Sequence, residues 1–201
     1  MKKKITVVTL VVIMVAMLFT GLTLAYFTDT DEAENVFTYG NVSIDLYETE
    51  WTGDKTVFPG MTYAKNPYIA NSGDSEAYVR IGVKVNAADL KAINSKDAAY
   101  AITDATLLTN LLVDMSSDWT FDKVVEVDNG TNLIFWYNYS TDGKLVALGT
   151  TAPLFEAVKI PAELTYTQVQ AASEFKLTVI AQAVQTASFN SAAEAFAATF
   201  G

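Results

Sequence analysis

Tyr78-Val79-Arg80-Ile81-Gly82-Val83-Lys84-Val85 alternates side-chain character with the two-residue period of a β-strand. Val79, Ile81, Val83 and Val85 fall on one face, and Arg80 and Lys84 on the other. A companion stretch lies near the end of the chain, Phe175-Lys176-Leu177-Thr178-Val179-Ile180-Ala181-Gln182-Ala183-Val184. There Phe175, Leu177, Val179, Ala181 and Ala183 form the inward set.

Between them, Trp119 to Val127, then Asn129-Gly130, then Leu133 to Tyr139 reads as a β-hairpin with an Asn-Gly turn. Leu133-Ile134-Phe135-Trp136-Tyr137 is nearly all apolar, as expected of a central strand covered on both faces. Asn41 to Tyr47 alternates as a half-buried strand, and Phe58-Pro59-Gly60-Met61 holds a Pro-Gly turn. Tyr63 to Ala70 is extended, with Pro67 restricting it to an edge or demoting it. Asn71 to Asp74 and Asp142-Gly143 are turns, and Phe155 to Ile160 is a short strand ended by Pro161.

Helical signals are few. Asp104 to Met115 places Leu107, Leu108, Leu111, Leu112 and Met115 on one stripe, with Thr103 or Asp104 as its cap. Ser191-Ala192-Ala193-Glu194 is a capping box opening a short terminal helix. About eight short strands without a βαβ rhythm predict an all-β fold with minor helices, an antiparallel β-sandwich or jelly roll.

Composition narrows the chemistry. The 201 residues are 51% hydrophobic and 18% charged, which suits a folded domain. The net charge is −10, and losing Lys2, Lys3 and Lys4 would take it to −13. Phosphate backbones need Lys and Arg partners, so nucleic acid is excluded as a partner. The chain has no cysteine and no histidine. Disulfides, thiol nucleophiles, Cys/His zinc sites and Ser-His-Asp triads are therefore absent. No catalytic, cofactor-binding or metal residue is assigned. The run Asp29-Thr30-Asp31-Glu32-Ala33-Glu34 offers only oxygen ligands, without EF-hand spacing, and reads as a solvated acidic face.

The first four residues, Met1-Lys2-Lys3-Lys4, are basic, and Ile5 to Ala25 is uncharged. Thr23-Leu24-Ala25 has the small-x-small pattern of a processing site, so cleavage is expected between Ala25 and Tyr26. The apolar run is also near the roughly 20 residues that span a bilayer, so an uncleaved anchor is the alternative. Either version puts the body outside the membrane. Expected divisions are a signal peptide over 1–25, a linking segment over 26–40 and a β domain over 41–201.

Three pieces resemble the TasA/camelysin-like family of bacterial secreted proteins. They are Ala25-Tyr26-Phe27-Thr28-Asp29 with Asn35-Val36-Phe37-Thr38-Tyr39-Gly40-Asn41-Val42 and Ile44-Asp45-Leu46; Phe58-Pro59-Gly60 with Asn71-Ser72-Gly73 and Ala77 to Ile81; and Phe175 to Gln185 with Phe189 to Ala192 and Ala195-Phe196. Residues 87–164 match nothing in that family pattern. The resemblance implies a jelly-roll domain with a short helical insertion, secretion, and processing by a SipW-like signal peptidase. For fibre-forming members it implies a subunit of biofilm-matrix fibres, a head-to-tail homopolymer with itself as partner beside accessory or anchoring matrix proteins. It further implies a donor strand, carried here onto Tyr26, Phe27, Thr28, Ala33, Val36, Phe37 and Thr38, that leaves its own subunit for the next. Camelysin relatives are also assigned as metallopeptidases, an activity that a chain without His or Cys is not expected to carry. A non-polymerising surface protein or adhesin is the remaining alternative.

Overall fold

Nine consecutive antiparallel pairs join the two strands that anchor the sequence reading, from Leu177 opposite Val85 to Gln185 opposite Ala77. The computed structural model describes residues 35–36, 42–49, 58–96, 105–140, 142–172 and 175–200. In chain order its strands are β1 (Asn35–Val36), β2 (Ile44–Glu48), β3 (Thr62–Ala64), β4 (Pro67–Asn71) and β5 (Ala77–Asn86). Helices α1 (Ala87–Ile93) and α2 (Thr106–Thr109) follow, then β6 (Leu112–Val113), β7 (Trp119–Val127), β8 (Asn132–Tyr139), β9 (Lys144–Leu145) and β10 (Ala157–Lys159). Helix α3 (Tyr166–Ala171), β11 (Leu177–Gln185) and α4 (Ala192–Phe200) complete the order.

The domain is mostly β. Its main sheet runs β1-β11-β5-β8-β7, with β9 beside one end of β5. All its pairs are antiparallel except β1 with β11. The facing layer is divided between a β3-β10-β6 sheet and a β2-β4 pair. Val79, Ile81 and Val83 of β5, Leu133 and Phe135 of β8, and Ala181 and Ala183 of β11 have no exposed surface. They pack with Ile69, Leu90, Leu107, Leu108, Leu154 and Phe155 in one core. Each buried Val, Leu or Phe contributes about 1.5–3 kcal/mol. The strand alternation thus sets which face closes.

The β7–β8 hairpin forms as expected. Asp128, Asn129 and Gly130 take φ of 53°, 57° and 81°, a left-handed run that these residue types tolerate best. Pro67 is the first residue of β4, where its missing N–H costs no ladder bond inside the strand.

The helix expected over Asp104–Met115 is a correction. Only Thr106–Thr109 is helical, and its N-terminal flank at Ala105 has no side-chain cap. Thr103 and Asp104 lie outside the described residues. The Leu111 carbonyl accepts from the Lys159 N–H, and Leu112 pairs with Val158 of β10. Sheet pairing therefore takes the backbone groups that a longer helix would need. The leucine stripe is still core, since Leu107, Leu108 and Leu111 are buried.

Two helices escaped the sequence reading. Asn86 caps α1 by accepting from the Ala88 and Asp89 N–H groups, and Thr165 with Gln168 makes a full capping box on α3. Both caps were visible as residue types. The helices they open are only seven and six residues long, too short for periodicity to stand out. At α4, Ser191 Oγ accepts from the Glu194 N–H, but the Glu194 carboxylate accepts from the Asn190 N–H. No helix among the described residues is long and apolar enough to cross a membrane.

Candidate functional site

The two ends of the main sheet differ in how they meet solvent. At one end lies β7, whose register shifts between Phe121 and Lys123. Asp122, Lys123 and Glu126 are exposed along it. A bulge and charged side chains are the usual means of discouraging a further strand. Toward the other end, next to the terminal strand β1, lies β11, Leu-Thr-Val-Ile-Ala-Gln-Ala-Val-Gln, with no charge in nine residues. One edge of β11 is paired to β5 throughout its length.

The other edge of β11 carries β1. The pairing is parallel, with Asn35 opposite Ala181 and Val36 opposite Gln182. Parallel neighbours cannot be joined by a tight turn, so the segment reaches this edge from a distant part of the chain. Among the described residues no other strand lies along that edge. One sheet edge is guarded and the other receives the N-terminal segment.

Helix α4 covers the outer face of the sheet beside that edge. Tyr78, Val184, Ala192, Ala195 and Phe196 form a second apolar cluster there. Arg80 is buried in it, 4% exposed, with its guanidinium carbon 4.2 Å from the centres of both the Trp136 and Phe196 rings. Its Nε donates to Gln182 Oε1 at 2.8 Å, and Asp122 stands 3.9 Å from Nη1. Burial lowers the Arg80 pKa to about 10, partly offset by Asp122, so the side chain remains a cation at neutral pH. The sequence reading placed Arg80 opposite the core face, which holds, but α4 and Trp136 turn that second face into a core of its own.

Of the residues assigned from sequence, Val36 alone falls in a described element, the strand β1. Ala25, Tyr26, Phe27, Thr28, Ala33, Phe37 and Thr38 lie outside the described residues. The receiving strand β11 was legible as a strand but not as a receiving edge. Its signal was the absence of charge.

Catalytic or metal chemistry finds little support in the described groups. Among the described residues no three His, Cys, Asp or Glu side chains stand close enough to hold a metal ion. With no His or Cys in the chain, a zinc site would need carboxylates alone. Some of the described carboxylates meet bases: Glu48 with Lys65, Asp128 with Lys84 at 2.8 Å, and Glu76 with Lys144 at 3.7 Å. The described residues bring together no donor set that fits a peptidase metal centre. Tyr137 is buried with its hydroxyl unpartnered among the described residues, and burial pushes its pKa up, so it stays a neutral phenol.

Comparison with known proteins adds one match. The family model Peptidase_M73, described as camelysin metallo-endopeptidase, matches residues 1–134. No curated protein matches the chain.

Proposed function

The chain belongs to the camelysin metallo-endopeptidase family, and from that premise we propose that it is an exported structural subunit, joined head to tail through its N-terminal segment, and not a peptidase. The observation that carries this reading is the seat of Asn35–Val36 in parallel on the uncharged edge of β11. A segment able to complete that edge in its own chain can complete the same edge in another copy.

In this reading a SipW-like signal peptidase cuts between Ala25 and Tyr26. Before the cut, the apolar leader tethers the segment at the membrane. Afterwards Tyr26–Thr38 leaves its own β11 and adds to the β11 of the next subunit, where backbone hydrogen bonds supply the attachment. The donor surface and the receiving edge differ, so the contact propagates instead of closing into a dimer. The guarded β7 edge discourages growth on that side. The product is a secreted fibre of the biofilm-matrix kind, built from subunits that we assign to the jelly-roll sandwich fold. The family description itself favours a second reading, a metal-dependent endopeptidase, against which the missing His and Cys ligands weigh.

The test compares protein beginning at Tyr26 with protein lacking Tyr26–Thr38, both by negative-stain electron microscopy. Fibres are expected from the first alone. Fibres from the truncated protein would overturn the donor role, and chelator-sensitive cleavage of casein by purified protein would establish the peptidase instead.

A further inference from the structure

The chain from Gly60 to Asn71 runs beside the chain from Gly149 to Ile160 as one antiparallel ladder. Its bonds pass from the Asn71 N–H on the Gly149 carbonyl at 2.8 Å, through Thr151 with Ile69, Leu154 with Pro67 and the β3–β10 pairs, to the Ile160 N–H on the Met61 carbonyl at 2.9 Å. Ten steps of roughly 3.3 Å separate Met61 from Asn71, about 33 Å in all. Each end of this ladder carries exposed apolar side chains, Val146 and Leu148 at one and Phe58 and Met61 at the other. Tyr166, also exposed, adds to the second end, shortly after the Ile160 and Pro161 carbonyls that accept from the Gly60 N–H.

Leu148 is held in place. It is 78% exposed at φ 56°, a left-handed backbone that glycine or asparagine adopts at lower cost. Its N–H donates to the Gly73 carbonyl at 3.3 Å, and the Gly149 N–H donates to the Val146 carbonyl at 3.1 Å. Buried Asn71 donates through Nδ2 to the same Val146 carbonyl at 3.1 Å. Backbone strain fixed by a surrounding network and bearing an exposed leucine points to a contact surface.

We propose that the Val146–Leu148 tip of one copy docks on the Phe58–Met61 turn of a second copy, so that copies stack end to end. Charge complements the two ends. Among the described residues, the tip's end of the molecule sets Asp74, Glu76, Asp118 and Asp142 against a single lysine, Lys144. The other end balances Lys84 with Asp128 and carries Lys91, Lys96, Lys159 and Lys176 beside Asp89, Glu126 and Glu163. The carboxylates around the tip also disfavour an anionic lipid surface as its occupant. Tip and turn are different surfaces, so the contact leaves a free end on each copy and propagates. It uses no residue of the N-terminal segment and stands apart from strand exchange.

The chain has no cysteine of its own, so disulfide trapping tests this contact directly. Leu148→Cys protein mixed with Met61→Cys protein under mild oxidation should give a crossed dimer faster than either variant alone, and faster than Leu148→Cys with Lys123→Cys. A crossed dimer no faster than these controls would overturn the proposal. The double variant should give a ladder of multimers, because about 33 Å within one chain exceeds the roughly 7 Å that a disulfide can bridge. In sedimentation, Leu148→Asn should weaken self-association about tenfold, the scale of one leucine's burial. Its urea midpoint should stay level or rise, since asparagine accepts the left-handed backbone. Unchanged association, or a fallen midpoint, would count against a docking role. Leu148-dependent flotation with phosphatidylcholine vesicles, without the crossed dimer, would assign the tip to lipid instead. Fibres of the double variant that lack this disulfide would defeat the contact and leave strand exchange standing. The crossed dimer from protein that forms no fibres would support the contact and count against the fibre reading.

Discussion

The Arg80 guanidinium lies 4.2 Å from the centre of the Phe196 ring, and this contact fastens the C-terminal helix to the sheet. Arg80 sits in the middle of β5 and Phe196 in the middle of α4, 116 positions later. The Trp136 ring centre lies at the same distance from the guanidinium. A buried cation here is satisfied by two ring faces and by Gln182.

Phe196→Ala should therefore cost about 3–4 kcal/mol, from the lost burial and the uncovering of Arg80. Urea denaturation measures it. Paired with Arg80→Lys in a double-mutant cycle, the two changes should be non-additive by about 1 kcal/mol, and strict additivity would show that the stacking carries no energy of its own.

Gly82 leaves room for Trp136. A Cβ at that position would stand 2.7 Å from Trp136 Cζ3 and 2.8 Å from Ile134 Cγ2. Gly82→Ala should displace the indole, cost about 1–3 kcal/mol and shift the tryptophan emission, because the ring also covers Arg80. An unchanged spectrum and midpoint would mean that the sheet absorbs the methyl group without moving the ring.

Lys65 is buried at 3% exposure and paired with Glu48, joining the β3–β4 connection to β2. Glu48→Gln removes the countercharge and leaves the ammonium in place. A loss of about 1–3 kcal/mol is expected in chemical denaturation, below the range for a fully buried pair because Glu48 retains some solvent. A stability within error of the parent would show that Lys65 finds sufficient other partners.

Asp128 predicts an acid dependence. Hydrogen bonds from Lys84 and then Asn132 hold its pKa below the usual 3.8. A carboxylate whose folded-state pKa is depressed adds stability above the unfolded value and loses it as pH falls through the folded one. Stability should thus decline below about pH 4, and Asp128→Asn should flatten that limb while leaving the left-handed turn intact. Identical acid limbs in a urea series from pH 2 to pH 5 would rule this out.

The inward rows were legible because alternation is a local property. Val79, Ile81, Val83 and Val85 have nowhere else to point once the strand forms, and the same holds for Val179, Ala181 and Ala183. The Asn129-Gly130 turn was legible for the same reason, since left-handed φ values select residue types. The stretch 104–115 was misjudged because its apolar stripe suits a helix or a buried strand end equally, and pairing with β10 decided between them. As for the candidate site, the N-terminal segment was marked by its position between an uncharged apolar run and the β-rich body. The edge that seats Asn35–Val36 was not, because which strand ends a sheet depends on the packing of all the others.

Sequence alone determined the strand period, the turn residues, the acidic surface and the lack of His and Cys, each a consequence of residue type and near neighbours. Tertiary structure decided that β1 meets β11 in parallel at one end of the main sheet, and that Arg80 is buried against the rings of Trp136 and Phe196. Those facts depend on contacts between residues far apart in sequence, 56 positions for Arg80 with Trp136 and 146 for Asn35 with Ala181. No local preference encodes them, and only the simultaneous closing of both sheet faces makes them the lowest-energy arrangement.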